Sequence, residues 1–233
     1  MTKLSFRTVS QNFITPGLIF LSFVWLIPLV TNFAVSFFNF SFYTGYQSWL
    51  LSDIMLYPLP IIVLAIYLRK KNRATVVWEA PRLFKILLSL LVVVLYFLFT
   101  IISNNFFPVS VATNQTELLN TLNNSSILGI QLELLAITLL GPIFEELMCR
   151  GLLMNFYFKN SKFGFDVILS AIVFSLLHQH QNLSVLLPYF IFGLLLGLLY
   201  RFTGKLQYTM LAHILINTII AWPYIQDNII IFL

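Results

Sequence analysis

The stretch Ile86-Leu87-Leu88-Ser89-Leu90-Leu91-Val92-Val93-Val94-Leu95-Tyr96-Phe97-Leu98-Phe99-Thr100-Ile101-Ile102 holds no charge and reads as one helix through a bilayer. A hydrocarbon core of about 30 Å takes roughly 20 helical residues to cross, and similar apolar runs recur from one end of the chain to the other. Inside lipid the backbone must satisfy its own hydrogen bonds, which leaves helices or closed barrels. A barrel writes itself as short alternating segments, and none occur here. With 59% hydrophobic, 16% aromatic and only 9% charged residues among 233, the chain has too little polar surface to cover a water-soluble globule. The expected fold class is all-α, a polytopic transmembrane helix bundle of seven to eight helices.

Working outward, spans fall near Gly17 to Phe40, Trp49 to Leu68, Ile86 to Ile102, Ile127 to about Phe158, Phe165 to His178, Leu183 to Tyr200 and Gln207 to Trp222. The tail from Ile229 to Leu233 is too brief to span alone. A broken eighth helix beginning near Trp222 is the alternative at that end. The first run follows Lys3 and Arg7, yet it is too long for a secretory signal and lacks a small-residue cleavage site, so it reads as a retained span. The single Cys149 excludes an intrachain disulfide and a multi-cysteine zinc cage.

Formal charge is +5, and its distribution explains it. Lys3 and Arg7 precede span one; Arg69 to Arg82 and Lys85 follow span two. Lys159 and Lys162 follow span four, and Arg201 and Lys205 follow span six. These are alternate loops, so the N-terminus is expected in the cytoplasm of a multi-pass protein of the cell membrane. The opposite loops, including the Asn-, Ser- and Thr-rich stretch from Ser103 to Ser126, carry no Lys or Arg. No basic-aromatic pattern or motif for nucleic acid is present. Of the 13 basic residues only Arg150 lies inside an apolar run.

A charged side chain in the bilayer interior costs at least about 2.5 to 3.5 kcal/mol, so intramembrane ionisable groups are candidates for function. They cluster in one half of the chain: Phe144-Glu145-Glu146-Leu147-Met148-Cys149-Arg150-Gly151 in span four, Phe174 to His178 at the end of span five, and His213 to Asn217 in span seven. Glu146 and Arg150 stand four apart and share a helix face, where an ion pair offsets the burial of both. Glu145 is turned about 100° away and is available to face something else. If spans four and five turn near Ser161 to Gly164, Glu145 and His178 come out level, about 25 Å up each helix. His213 starts closer to the cytoplasm, and a turn or two of span four projecting below the membrane would close that gap. A carboxylate beside two imidazoles and an amide is a water-activating set: Glu145 takes a proton from water that His178 helps to position, while His213 and Asn217 donate to the oxyanion of a tetrahedral intermediate.

The three motifs, Glu145-Glu146-x-x-x-Arg150, Phe174-x-x-x-His178 and His213-x-x-x-Asn217, resemble those of the CPBP family, the CAAX-prenyl-protease-like or Abi membrane proteases. Gly151 after the arginine is also similar to the family pattern. The resemblance covers roughly Ile127 to Trp222. It divides the chain into residues 1–126, transmembrane helices that match nothing, and 127–233, a catalytic helix core. It implies an intramembrane endopeptidase acting on a peptide or protein substrate at the membrane. Glu145, His178, His213 and Asn217 would be catalytic; Glu146, Arg150 and Phe174 would support them. No cofactor is implied, and a metal is left open, although His-Glu-x-x-His is absent. Many bacterial members of the family are linked to bacteriocin self-immunity or peptide processing.

Plainer readings stand beside these. Glu146 with Arg150 is first of all a structural ion pair. His178 could sit at the outer interface next to the polar Gln179 to Asn182 stretch, and His213 with Asn217 could be inter-helix hydrogen-bonding glue. Phe174 reads as packing, and Gly193 with Gly197 as a close helix contact within the bundle. Two other functions remain open: a non-catalytic bacteriocin-immunity or partner-binding membrane protein that keeps the family fold, and a proton-coupled transporter. The transporter would be expected to show an internal repeat and paired broken helices, and the sequence has neither.

Overall fold

The computed structural model describes residues 15–21, 57–71, 78–106, 127–157, 164–178 and 183–229. Among them are seven helices and no strand, so the all-α bundle is the fold. They are α1 (Thr15–Leu21), α2 (Pro58–Lys70), α3 (Leu83–Phe106), α4 (residues 127–157), α5 (Phe165–His178), α6 (Leu183–Thr203) and α7 (Leu206–Ile229). Most of the first span, the Lys3 and Arg7 pair, the Lys159 and Lys162 pair, nearly all of the Ser103 to Ser126 stretch and the Gln179 to Asn182 stretch lie outside the described residues.

Among the described residues, three helices are long and apolar enough to cross a membrane: Leu83–Asn105, Leu186–Thr203 and Leu206–Gln226. The chain is a membrane protein, and its surface reads accordingly. Along α3, Leu87, Leu91, Val94, Leu98, Ile101 and Ile102 all project outward from the bundle, where only acyl chains would match them. At 14 residues, α5 is about 21 Å long at 1.5 Å per residue. It therefore stops short of a full crossing, and its last residue, His178, ends up beside the bundle interior. Helix α7 corrects one alternative. It runs without a break through Trp222 and Pro223 to Ile229, so no new helix starts at Trp222.

Helix α4 is the centre of the bundle. One of its faces joins a core with Leu64 and Leu68 of α2, Val167 of α5, Tyr200 of α6 and Leu206 and Met210 of α7, to which it gives Leu147, Met148, Leu152 and Met154. Its other face gives Cys149 and Leu153 to a second core of Val92, Val93 and Tyr96 from α3, Phe174 from α5, Phe192, Leu196 and Leu199 from α6, and Ala212 and Ile216 from α7. The helix is not uniformly wound. Ala136–Leu140 and Leu147–Tyr157 adopt the wider π-type winding, with Gly141 N–H donating five residues back to Ala136. Such winding is rare and concentrates at functional sites. It packs more residues into each unit of height, so the eleven residues of the second segment climb less than an ordinary α-helix would. His213 Nε2 stands 3.7 Å from Glu145 Oε2, so the two residues are level.

Helices α5 and α6 pack closely because their contact is lined by small residues. A Cβ on Gly193 would stand 3.0 Å from the Cα of Ala171 and 3.2 Å from Phe174, and one on Gly197 would stand 3.0 Å from Val167. The reading of these two glycines as a contact within the bundle agrees with that geometry. Between α6 and α7 the chain turns in two residues, with Gly204 at φ +66° and its N–H closing α6 on Tyr200 O at 2.8 Å. Only a residue without a Cβ adopts that conformation readily.

The same end of the bundle carries a polar clamp. Lys85 Nζ donates to Glu79 Oε1 and to Thr203 O, each at 2.7 Å. Gln207 and the backbone of Glu79 bond reciprocally, at 2.8 and 3.1 Å, and Tyr208 Oη donates to Glu79 Oε1 at 3.1 Å. These bonds tie the start of α3 to the start of α7. They also place Arg82, Lys85, Arg201 and Lys205 at one end of the bundle.

Two outcomes follow from this packing. Gly193→Leu inserts atoms where the backbone of α5 already sits; it should lower stability by at least the roughly 1 to 3 kcal/mol of ordinary overpacking, read as a lower thermal midpoint in detergent micelles. The second concerns pH. The Lys85 hydrogen bond holds the Glu79 carboxyl below its ordinary value of 4.5, helped by Tyr208 and against the smaller cost of burial. A lowered folded-state pKa stabilises fully above the unfolded value and is lost as pH falls through the folded one. The thermal midpoints of wild type and Glu79→Gln should therefore differ by a constant amount above about pH 5 and converge in acid.

Candidate active site

Glu145 and Glu146 leave α4 in different directions because adjacent helical residues are about 100° apart, and the bundle treats them differently. Glu146 is fully buried. Its Oε1 accepts from Arg150 Nη1 at 2.8 Å and from His213 Nδ1 at 2.9 Å. Arg150, also fully buried, donates through Nη2 to Gly193 O at 2.7 Å, and its guanidinium lies 5.0 Å from the centre of the Phe174 ring. Arg150 thus touches α4, α5 and α6 at once, and Glu146 adds α7. The four-residue spacing put the ion pair on one face, and the neighbours supply the rest.

Glu145 is partly exposed, with 28% of its side chain accessible, yet its Oε2 is buried and accepts no hydrogen bond among the described residues. Two imidazoles face that oxygen: His178 Nε2 at 3.4 Å and His213 Nε2 at 3.7 Å. Their other nitrogens fix the ring orientation. His178 Nδ1 lies 2.8 Å from Phe174 O, a carbonyl that can only accept, so Nδ1 carries a hydrogen. His213 Nδ1 lies against the Glu146 carboxylate, which also accepts from Arg150; this nitrogen too is the donor. Each neutral ring therefore presents the lone pair of Nε2 toward Glu145. Three acceptor atoms within 3.7 Å can coexist only with hydrogen between them, from a protonated group or a water.

The residues singled out in the sequence do not all arrive at the same place. Glu145, Glu146, Arg150, Phe174, His178 and His213 meet in one cluster. Asn217 lies one turn further along α7 and donates to Ile137 O at 2.9 Å, so one of its two amide hydrogens is committed to the backbone of α4 at its widened turn. Phe174 packs as expected, and it also stacks on His178 at 4.4 Å between ring centres.

Other contributors were not visible as such in the sequence. Tyr189 of α6 stacks on His178 at 4.7 Å and 25°. Phe192 sets its edge against His213 at 4.7 Å. Gly193 was legible as a close contact but not as the acceptor for Arg150. Tyr57, just ahead of α2, brings its hydroxyl to the same neighbourhood as Glu145. The point where a Cβ on Gly141 would stand is 3.9 Å from Tyr57 Oη and 3.9 Å from Glu145 Oε1. A tyrosine in the middle of an otherwise apolar run was the available signal for Tyr189; for Phe192 there was none. Among the described residues no group of three or more His, Cys, Asp and Glu side chains is arranged to hold a metal ion.

Comparison with known proteins falls on this same region. Residues 127–219 match the family described as Type II CAAX prenyl endopeptidase Rce1-like. The chain is also 27% identical over 93 residues to the Bacillus subtilis (strain 168) protein named "Putative membrane peptidase YdiL", across 40% of this chain and 37% of that protein. The aligned part thus spans well under two thirds of that relative's length. No solved structure matches. The similarity to that family runs over 127–219, the stretch that carries α4 to most of α7.

The buried pair yields a test of its own. Arg150→Met leaves Glu146 charged and without its guanidinium, and removal of one partner of a buried pair costs about 3 to 5 kcal/mol. It should lower the thermal midpoint sharply in detergent. Adding Glu146→Gln to Arg150→Met should recover part of the loss, because the orphan charge is then gone.

Proposed function

We propose that the chain is an intramembrane endopeptidase in which Glu145 activates a water molecule for attack on a peptide bond in or near the bilayer. The observation that carries this reading is the Glu145 Oε2 atom, buried, without a hydrogen-bond partner among the described residues, and faced by the Nε2 atoms of His178 and His213. A water among these three acceptors gives its hydrogens to two of them. Its own lone pair is then left to point at a substrate carbonyl.

The steps balance as general base catalysis followed by general acid catalysis. The water oxygen bonds to the carbonyl carbon while its proton passes to Glu145, and the carbonyl electrons move onto oxygen. That oxyanion is met by the second amide hydrogen of Asn217 and, where His213 enters the step already carrying a proton on Nε2, by that N–H as well. The proton on Glu145 then goes to the leaving nitrogen as the carbon–nitrogen bond breaks. Preorganised donors of this kind act strongly in a water-poor site. Glu146, Arg150 and Phe174 hold the set in place without touching substrate.

The substrate class is a peptide or protein segment presented at the membrane. Peptide processing or bacteriocin self-immunity is the setting implied by the resemblance. The chain is read as multi-pass with a cytoplasmic N-terminus. The basic residues gathered at the α2–α3 and α6–α7 end of the bundle support that orientation. Residues 127–233 form the catalytic core in this reading, with α2 and α3 packed on it.

The reading is tested in proteoliposomes with a quenched fluorescent library of membrane-inserting peptides, products being identified by mass spectrometry. At equal protein abundance, Glu145→Gln and His178→Ala should each lower cleavage by roughly 10²- to 10⁴-fold, the usual worth of a positioned acid–base group. Cleavage undiminished in both variants would overturn it in favour of a non-catalytic membrane protein.

A further inference from the structure

The His178 ring is held more tightly than a single hydrogen bond explains. Its Nδ1 edge is pinned to Phe174 O at 2.8 Å. Its flat surface meets two aromatic rings, Phe174 one helical turn before it at 4.4 Å and 35°, and Tyr189 from the neighbouring helix at 4.7 Å and 25°. Phe174 is itself fixed, being wholly buried and lying under the Arg150 guanidinium. Tyr189 is half-buried and comes from α6. What remains of the ring is the Nε2 edge, which looks at Glu145 Oε2.

We infer that Tyr189 is a positioning residue for His178, restricting rotation of the imidazole so that Nε2 stays directed at the water held by Glu145. The inference rests on the peptidase reading above and deepens it. His178 is the last residue of α5, and Tyr189 brings restraint to its ring from a different element, α6. Contact with two rings, one tilted and one stacked, supplies that restraint through shape and quadrupole. The contact is made by the ring of Tyr189. Its hydroxyl is not required, which sets the prediction apart from a role as proton donor.

Three variants and two readouts test it in the same proteoliposome assay. Tyr189→Phe keeps the ring and should retain kcat within about twofold. Tyr189→Leu removes the ring; it should lower kcat by roughly tenfold with KM changed less than twofold, since misorientation of a reacting group affects the chemical step. Tyr189→Trp should restore most of the loss. The chain has three histidines, so ¹⁵N-histidine labelling gives an activity-independent view. The His178 ring should show one tautomer, protonated at Nδ1, in wild type and Tyr189→Phe, and averaged ring nitrogens in Tyr189→Leu, at unchanged thermal midpoint. Full kcat and an unchanged His178 spectrum in Tyr189→Leu would overturn the inference, as would an equal loss in Tyr189→Phe. If Glu145→Gln and His178→Ala are inactive in that assay while Tyr189→Leu is fully active, the positioning role alone falls. If those two variants are active, the peptidase reading falls, and the spectrum still decides whether Tyr189 holds the ring.

Discussion

A guanidinium and a carboxylate with no access to solvent, in a bundle made for lipid, form the contact on which the rest of this structure depends. Arg150 and Glu146 can be buried only as a pair, and the pair is contacted by groups from three other helices: Gly193 O of α6, the ring face of Phe174 on α5, and His213 Nδ1 of α7. Each of these contacts has a geometric tolerance of a few tenths of an ångström. The pair therefore works as a peg that sets how α5, α6 and α7 sit around α4, and the small residues at the α5–α6 contact are what let Gly193 come close enough to serve.

That arrangement divides two chemically identical neighbours into two roles. Glu146 accepts from a cation and an imidazole N–H, both through Oε1, which makes it part of the scaffold. Glu145, about 100° around the same helix, meets only the lone-pair edges of two imidazoles and has an oxygen with no partner among the described residues. The first glutamate orients His213, and the second is faced by it. One histidine consequently links the two carboxylates, through different nitrogens of the same ring.

The winding of α4 matters for the same reason. A helix that kept 3.6 residues per turn would climb further between Tyr157 and Glu145 than this one does. The widened turn from Leu147 to Tyr157 lowers that climb, and Asn155 helps to hold it by donating to the carbonyls of Arg150 and Gly151 at 2.9 Å each and to Tyr200 Oη at 2.7 Å. Above the site, Asn217 performs a comparable service at Ile137. Two amides thus stand at the two irregular turns that bracket Glu145.

The sequence by itself determined the solvent and the class of fold, because apolar runs of bilayer length leave helices as the economical solution. Local spacing also determined the Glu146–Arg150 pair and the turning away of Glu145, since both depend only on 3.6 residues per turn. The level meeting of Glu145 with His178 was legible by counting residues from a hairpin. Periodicity says nothing about which carbonyl Arg150 finds, which ring covers His178, where α4 widens, or that α7 passes through Pro223 unbroken. Those were decided by contacts between residues far apart in the chain, such as Arg150 with Gly193 and His178 with Tyr189, and contacts of that kind exist only once the helices are packed.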